Sequence, residues 1–150
     1  AFTAYSSKFE PDGEDMSVSS KPNALVLYNP AMGRNTAKEQ TKEEQERSEN
    51  FLTSWKVTKG GAPAILFFGA GDPLLKPART FVREMAAAGN RVEMYTAEGQ
   101  AHGFFNDRPA QPWHAVCLRE TDSFLASLGY LKGTPTVKTG AGVSLKKAVR

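Results

Sequence analysis

An uninterrupted apolar run near the middle of the chain, Ala64-Ile-Leu-Phe-Phe68, most constrains what this 150-residue sequence can fold into. Five consecutive apolar residues that end at Gly69 predict a strand buried on both faces, as in a parallel sheet. A carboxylate, Asp72, follows this strand where a loop must open. Because open α/β sheets place their functional side chains at the carboxyl ends of strands, this loop is the first candidate for a site.

Two further strands are predicted around this central one. Leu25–Tyr28 is a short apolar run that ends at Asn29-Pro30, whereas Arg91–Tyr95 alternates apolar with charged residues, which is typical of a half-exposed edge strand. The order strand, polar segment, strand, helix, strand, helix indicates right-handed crossovers and a parallel α/β sheet. Since Leu25–Tyr28 has the pattern of a central strand and no strand is predicted before it, we expect the chain to be the later part of a larger fold.

Two helices are predicted from Pro77 and Pro112, because proline favours the first helical position. Their expected ends are Gly89-Asn90 and Gly129. Apolar residues recur at helical spacing in both and predict core-facing stripes: Ala78, Phe81, Val82, Met85 and Ala88 in the first, and Trp113, Val116, Cys117, Thr121, Phe124, Leu125 and Leu128 in the second.

Composition argues against several classes of function. No apolar run approaches the roughly 20 residues of a membrane helix, and residues 1–10 lack the pattern of a signal peptide. The net charge is +3, but its excess comes from basic residues in 133–150, whereas nucleic-acid binders carry positive charge as a patch on the fold. We therefore expect neither a membrane nor a nucleic-acid partner. We also expect one domain over 1–132, followed by a flexible basic tail over 133–150. The single cysteine leaves the compartment undetermined.

A histidine, His102, follows the third predicted strand, in the segment Gly99–Phe105. Imidazole moves protons near neutral pH, and a neighbouring carboxylate fixes its tautomer and stabilises the imidazolium. Taken singly, Asp72 is also explained as a turn residue and His102 as a loop residue. Because the carboxyl ends of neighbouring parallel strands meet at one edge, we predict that the two pair as catalytic acid and base. Phe104 and Phe105 are candidates to wall the substrate site or simply to pack.

Four segments resemble parts of the α/β-hydrolase esterases. The most similar group is the acetyl-esterase/lipase and feruloyl- or acetyl-xylan-esterase-like group, which is related to the dienelactone hydrolases. The resemblance spans about residues 20–131. Lys21–Pro30 resembles the strand after the nucleophile region, and Gly69–Leu75 resembles the acid segment. Gly99–Asn106 resembles the histidine segment, and Ala115–Leu131 resembles the closing helix.

The resemblance implies the C-terminal part of an α/β-hydrolase fold, with three parallel strands flanked by helices. In the family order of Ser, then Asp, then His, Asp72 becomes the triad acid and His102 the base. The nucleophile elbow G-x-S-x-G and the HGGG-type oxyanion segment are absent from these residues, so we expect them upstream of residue 1. The implied substrate is a small or carbohydrate-linked carboxylic ester. No metal or organic cofactor is expected, because the two histidines lack metal-ligand spacing.

Three alternatives remain open from the sequence. Gly69-Ala-Gly71 begins a G-x-G-x-x-G phosphate loop, but Leu74 occupies the place of the third glycine, so the indication of nucleotide binding is weak. A second possibility is a truncated or degenerate hydrolase half without catalysis, acting at most as a binding module. The polar segment Gly33–Asn50 is either an exposed connection or a lid over the site.

Overall fold

The structure, a computed structural model, describes residues 2–5, 13, 15, 17–32, 41–43, 56–107, 111–140 and 142–149. Most of the proposed lid segment, Gly33–Asn50, lies outside the described residues. The elements with defined bounds are, in chain order, α1 Phe2–Tyr5, β1 Leu25–Tyr28, β2 Ala64–Gly69, α2 Leu75–Ala87, β3 Val92–Ala97, α3 Trp113–Ser127 and β4 Lys146–Val149.

The strands form one mixed sheet in the order β1-β2-β3-β4. The first three strands are parallel, with Leu27 opposite Leu66 and Leu66 opposite Met94. Every residue of β2 is buried, as its continuous apolar pattern predicts. The prediction of three parallel strands flanked by helices is therefore confirmed.

The two outer parts of this sheet differ from the sequence prediction. Val92–Ala97, predicted as an edge strand, lies between β2 and the antiparallel strand β4, so that prediction was wrong. Its charged residue Glu93 accounts for the misleading alternation, because it pairs with Lys147 of β4. Residues 146–149, assigned to a flexible tail from their composition, thus form a strand. Only Leu25 of β1 is buried, although its pattern indicated burial on both faces.

Helices α2 and α3 cover opposite faces of the sheet. Ala64, Leu66 and Phe68 of β2 pack in one buried cluster with residues of α2, while Ile65 and Phe67 pack in a second cluster with residues of α3. This alternation follows from the period of two along a strand. Five of the predicted helical positions are buried in α3, namely Trp113, Val116, Cys117, Thr121 and Phe124. The layering leaves the loops after the parallel strands together at one edge.

Candidate acid–base site

Three loops meet where the parallel strands end, and a glycine makes their close approach possible. A Cβ atom at Gly69, the last residue of β2, would lie 2.4 Å from the carbonyl oxygens of both Gln100 and Ala101. The backbone N–H groups of Ala70 and Gly71 donate to the carbonyl oxygens of Ala97 and Gln100, both at 2.9 Å. The loop after β3 therefore rests directly on the end of β2.

This contact brings the predicted acid and base together. His102 Nδ1 lies 3.1 Å from Asp72 Oδ2. The Asp72 side chain is fully buried, whereas that of His102 is 57% exposed. The predicted juxtaposition is confirmed, and in it the imidazole presents Nδ1 to the carboxylate, which leaves Nε2 available to a reacting group. A carboxylate placed in this way selects the tautomer with the proton on Nδ1.

The buried carboxylate of Asp72 also orders the turn that leads into α2. Its Oδ1 accepts a hydrogen bond from the backbone N–H of Leu74 at 2.8 Å. The side chain thus serves as the turn residue that its place before Pro73 suggests and, at the same time, as the partner of His102. Because a buried polar group is costly unless hydrogen bonds satisfy it, these contacts offset the cost of burying the carboxyl group.

Asn29, interpreted from the sequence only as a strand stop, completes the arrangement. It is buried, and its side-chain Nδ2 donates a hydrogen bond to Asp72 Oδ2. Its Oδ1 accepts the backbone N–H of Gly103 at 3.1 Å. The one signal that could have located it is its position: an asparagine directly after a parallel strand lies at the same sheet edge as the residues after the next two strands.

The two candidate substrate-wall residues have different surroundings. Phe104 is buried and meets the ring of Trp113 edge to face at 5.8 Å, which gives it a packing role. Phe105 is half-buried, and its ring centroid lies 5.0 Å from that of Tyr28. Their contact with a substrate stays a prediction. The exposed His114 lies apart from the pair, with Nδ1 3.2 Å from the carbonyl oxygen of Phe105.

The phosphate-loop alternative finds no support in this geometry. The backbone donors of Ala70 and Gly71 already bind the loop after β3, and that loop covers Gly69. Within the described ranges, no group of three or more metal-ligating side chains occurs. None of the helices described is long and apolar enough to cross a membrane.

Among solved structures, this chain is similar to esterase 2 from the Planctomycetes species Thermogutta terrifontis. Its apo form is 30% identical with a TM-score of 0.75, and the match covers 88% of this chain and 52% of that chain. The propionate-bound form gives 30% identity and a TM-score of 0.72, over 89% and 53% of the two chains. The form phosphorylated by paraoxon is 31% identical with a TM-score of 0.70, and the match covers 88% of this chain and 50% of that chain. No family model and no curated protein matches the sequence.

The chain spans about half the length of the esterase structures that it matches. The matched fold consists of three parallel strands, one antiparallel strand and flanking helices. This chain is therefore similar in fold to about half of an α/β-hydrolase esterase, and the match is consistent with a C-terminal fragment.

Proposed function

We propose that this chain supplies the acid and the base of a serine carboxylic-ester hydrolase, whose nucleophile lies in a segment upstream of residue 1. The observation that carries the proposal is the 3.1 Å contact between His102 Nδ1 and the buried carboxylate of Asp72. The similarity to an esterase supports the same class of reaction. A buried carboxylate that holds one imidazole nitrogen, while the ring stays open to solvent, suits a general base.

In the proposed reaction, Nε2 of His102 removes the proton from the serine hydroxyl as it attacks the ester carbonyl. The imidazolium then gives this proton to the departing alcohol, which leaves an acyl-enzyme. Water attacks the acyl group while Nε2 accepts a proton from it, and Nε2 then returns this proton to the serine oxygen as the carboxylic acid is released. Throughout, Asp72 holds the proton on Nδ1 and stabilises the positive charge on the ring.

Short acyl esters are the proposed substrates. The matched esterase was captured with propionate and with butyrate, both short carboxylates. Phe105, a half-buried aromatic residue three positions after His102, is the candidate for contact with the alcohol or acyl group. A carbohydrate-linked ester stays within this proposal, because the described residues place no restriction on the alcohol.

The test uses the protein expressed with the coding sequence upstream of Ala1, and p-nitrophenyl acetate as substrate. We expect Asp72→Asn to lower kcat by about 10⁴-fold, because the wrong tautomer is then favoured, and His102→Ala to lower it by about 10⁶-fold, because loss of the base disables the whole triad. His114→Ala is the matched control, because it removes the chain's other histidine, which lies outside the pair. It should leave kcat within twofold.

Paraoxon supplies an independent readout of the nucleophile. We expect the full-length protein to gain one phosphoryl adduct on a serine upstream of residue 1, more slowly in His102→Ala than in the control. The 150-residue chain alone should hydrolyse nothing in a His102-dependent way. Turnover by the full-length protein that is indifferent to His102 would contradict the role of the acid–base pair, and no turnover at all would favour the non-catalytic binding module.

A further inference from the structure

We infer that Asn29 is a positioning residue for the acid–base pair: its side-chain amide joins the carboxylate of Asp72 to the backbone beside His102. This inference deepens the proposed function, because it names what holds the two groups at their working distance. The hydrogen bonds of the Asn29 side chain go to Asp72 and to the backbone of Gly103, so we assign it a role that acts through these two partners.

The two contacts of the amide fix both ends of the pair. Nδ2 donates to Asp72 Oδ2, the same oxygen that faces His102 Nδ1. Oδ1 accepts the N–H of Gly103, the residue directly after His102, at 3.1 Å. A displacement of the carboxylate relative to the histidine loop therefore breaks at least one of these hydrogen bonds.

The chemistry of the partners determines the orientation of the amide. Its acceptor faces an N–H group and its donors face a carboxylate. The opposite orientation would set oxygen against oxygen and N–H against N–H, with no favourable contact on either side. Asparagine is therefore the side chain suited to this place, because it carries one donor and one acceptor on a short stem, whereas aspartate offers only acceptors.

The backbone of Asn29 adds an independent indication. Its φ is +44°, and among the residues that the structure describes it is the one non-glycine residue with a positive φ. Its own N–H continues the sheet by donating to the carbonyl oxygen of Phe67 at 2.9 Å. Left-handed backbone is several-fold enriched in asparagine, and strained conformations gather at functional sites. Here it turns the side chain from the end of β1 toward the two neighbouring loops.

The test compares Asn29→Gly with Asn29→Asp in the full-length protein, with ¹⁵N-labelled histidine. Glycine accepts the positive φ without strain but deletes the amide. Aspartate keeps an acceptor for the N–H of Gly103 and replaces the donor toward Asp72. The readouts are the imidazole ¹⁵N shifts, which report the tautomer of His102, and hydrogen exchange at the amide of Gly103. His114 in the same molecule is the internal reference.

In Asn29→Gly we expect the Gly103 amide to exchange at least tenfold faster and His102 to lose its fixed Nδ1–H tautomer, while His114 is unchanged. If the protein hydrolyses esters, kcat should fall about 10²-fold, the scale of a small misplacement, with KM within twofold. In Asn29→Asp, Gly103 should stay protected while the ¹⁵N shifts of His102 change.

A folded Asn29→Gly protein with unaltered His102 shifts and Gly103 exchange would overturn the inference. If Asn29→Gly does not fold, Asn29→Asp decides: unaltered His102 shifts in that variant would overturn the inference equally. Because both NMR readouts are independent of turnover, a protein without esterase activity still tests the role of Asn29. A failure of the proposed function is thereby distinguished from a failure of this inference.

Discussion

Two regions of the sheet each contain a carboxylate that contacts nitrogen atoms: the acid–base site around Asp72 and the pairing of β4 with β3 around Glu93. At the site, Asp72 is fully buried and receives hydrogen bonds from Asn29, Leu74 and His102. At the far side, where β4 pairs with β3, Glu93 of β3 lies 2.6 Å from Lys147 of β4 and 2.8 Å from Arg91. Both regions set a carboxylate against nitrogen donors, so burial is the main difference between them.

Burial determines what each contact is worth. The side chains of Arg91 and Lys147 are 41% and 38% exposed, whereas that of Glu93 is 15% exposed. Because water reaches both cations, we expect each pair to stabilise the fold by about 0–1 kcal/mol. A buried donor left without an acceptor costs about 1–3 kcal/mol. We call the loops around Asp72 the site edge and the contacts between β4 and β3 the β4 edge. The comparison predicts that the site edge tolerates few substitutions and that the β4 edge tolerates many.

The largest expected effect is that of Gly69→Ala at the site edge. The new Cβ would lie 2.4 Å from two backbone oxygens, so β2 and the histidine loop must separate. Since forced overpacking costs typically 1–3 kcal/mol and sometimes more, we expect the free energy of unfolding to fall by about 3 kcal/mol. Urea unfolding of the full-length protein, followed by circular dichroism, measures this change.

Gly71→Ala is the matched control for this substitution. A Cβ atom at Gly71, two residues further along the same loop, would lie 3.4 Å from the carbonyl oxygen of Gln100, close to ordinary contact. We expect a change below about 1 kcal/mol, because little has to shift. Equal losses in the two variants would show that the close crossing at Gly69 is not what sets the stability of this edge.

An intermediate effect is expected from Asp72→Ala, which removes the acceptor of the buried donor of Asn29 and of the half-buried donor of Leu74. A buried donor left unpaired costs about 1–3 kcal/mol and a half-buried one, which water can reach, costs less, so the free energy of unfolding should fall by about 2–3 kcal/mol. His102→Ala should change it by less than about 0.5 kcal/mol, because that side chain is largely exposed. A loss for His102→Ala as large as that for Asp72→Ala would contradict the division between a structural acid and an exposed base.

Features set by local sequence patterns could be predicted from the sequence, whereas features set by contacts between distant residues could not. The apolar runs of β1 and β2 and the stripes of α2 and α3 are local patterns, and they gave the parallel sheet and the edge where Asp72 and His102 meet. The role of Asn29 depends on partners 43 and 74 residues away, which no local pattern encodes. β4 was missed because Lys-Lys-Ala-Val is short and polar, and because its pairing depends on Glu93 of a distant strand.

The smallest effect concerns the pH dependence of the β4 edge. Burial raises the pKa of Glu93, but the hydrogen bonds from Lys147 and Arg91 outweigh it and hold the pKa below its usual value. A carboxyl group with a lowered pKa in the folded state stabilises the fold above the pKa of the unfolded state, about 4.3, and loses this contribution as the pH falls through the folded-state pKa.

Glu93→Gln, measured by urea unfolding at pH 7 and pH 3, tests this dependence. At pH 7 the substitution should cost about 0.5 kcal/mol, the scale of an exposed pair, and at pH 3 the cost should be smaller because the wild-type carboxyl is then partly or fully protonated. Added salt at 1 M should reduce the pH 7 difference, since exposed charges are screened. A cost of 2 kcal/mol or more, or one unchanged by pH and salt, would mean that the β4 edge depends on buried contacts as the site edge does.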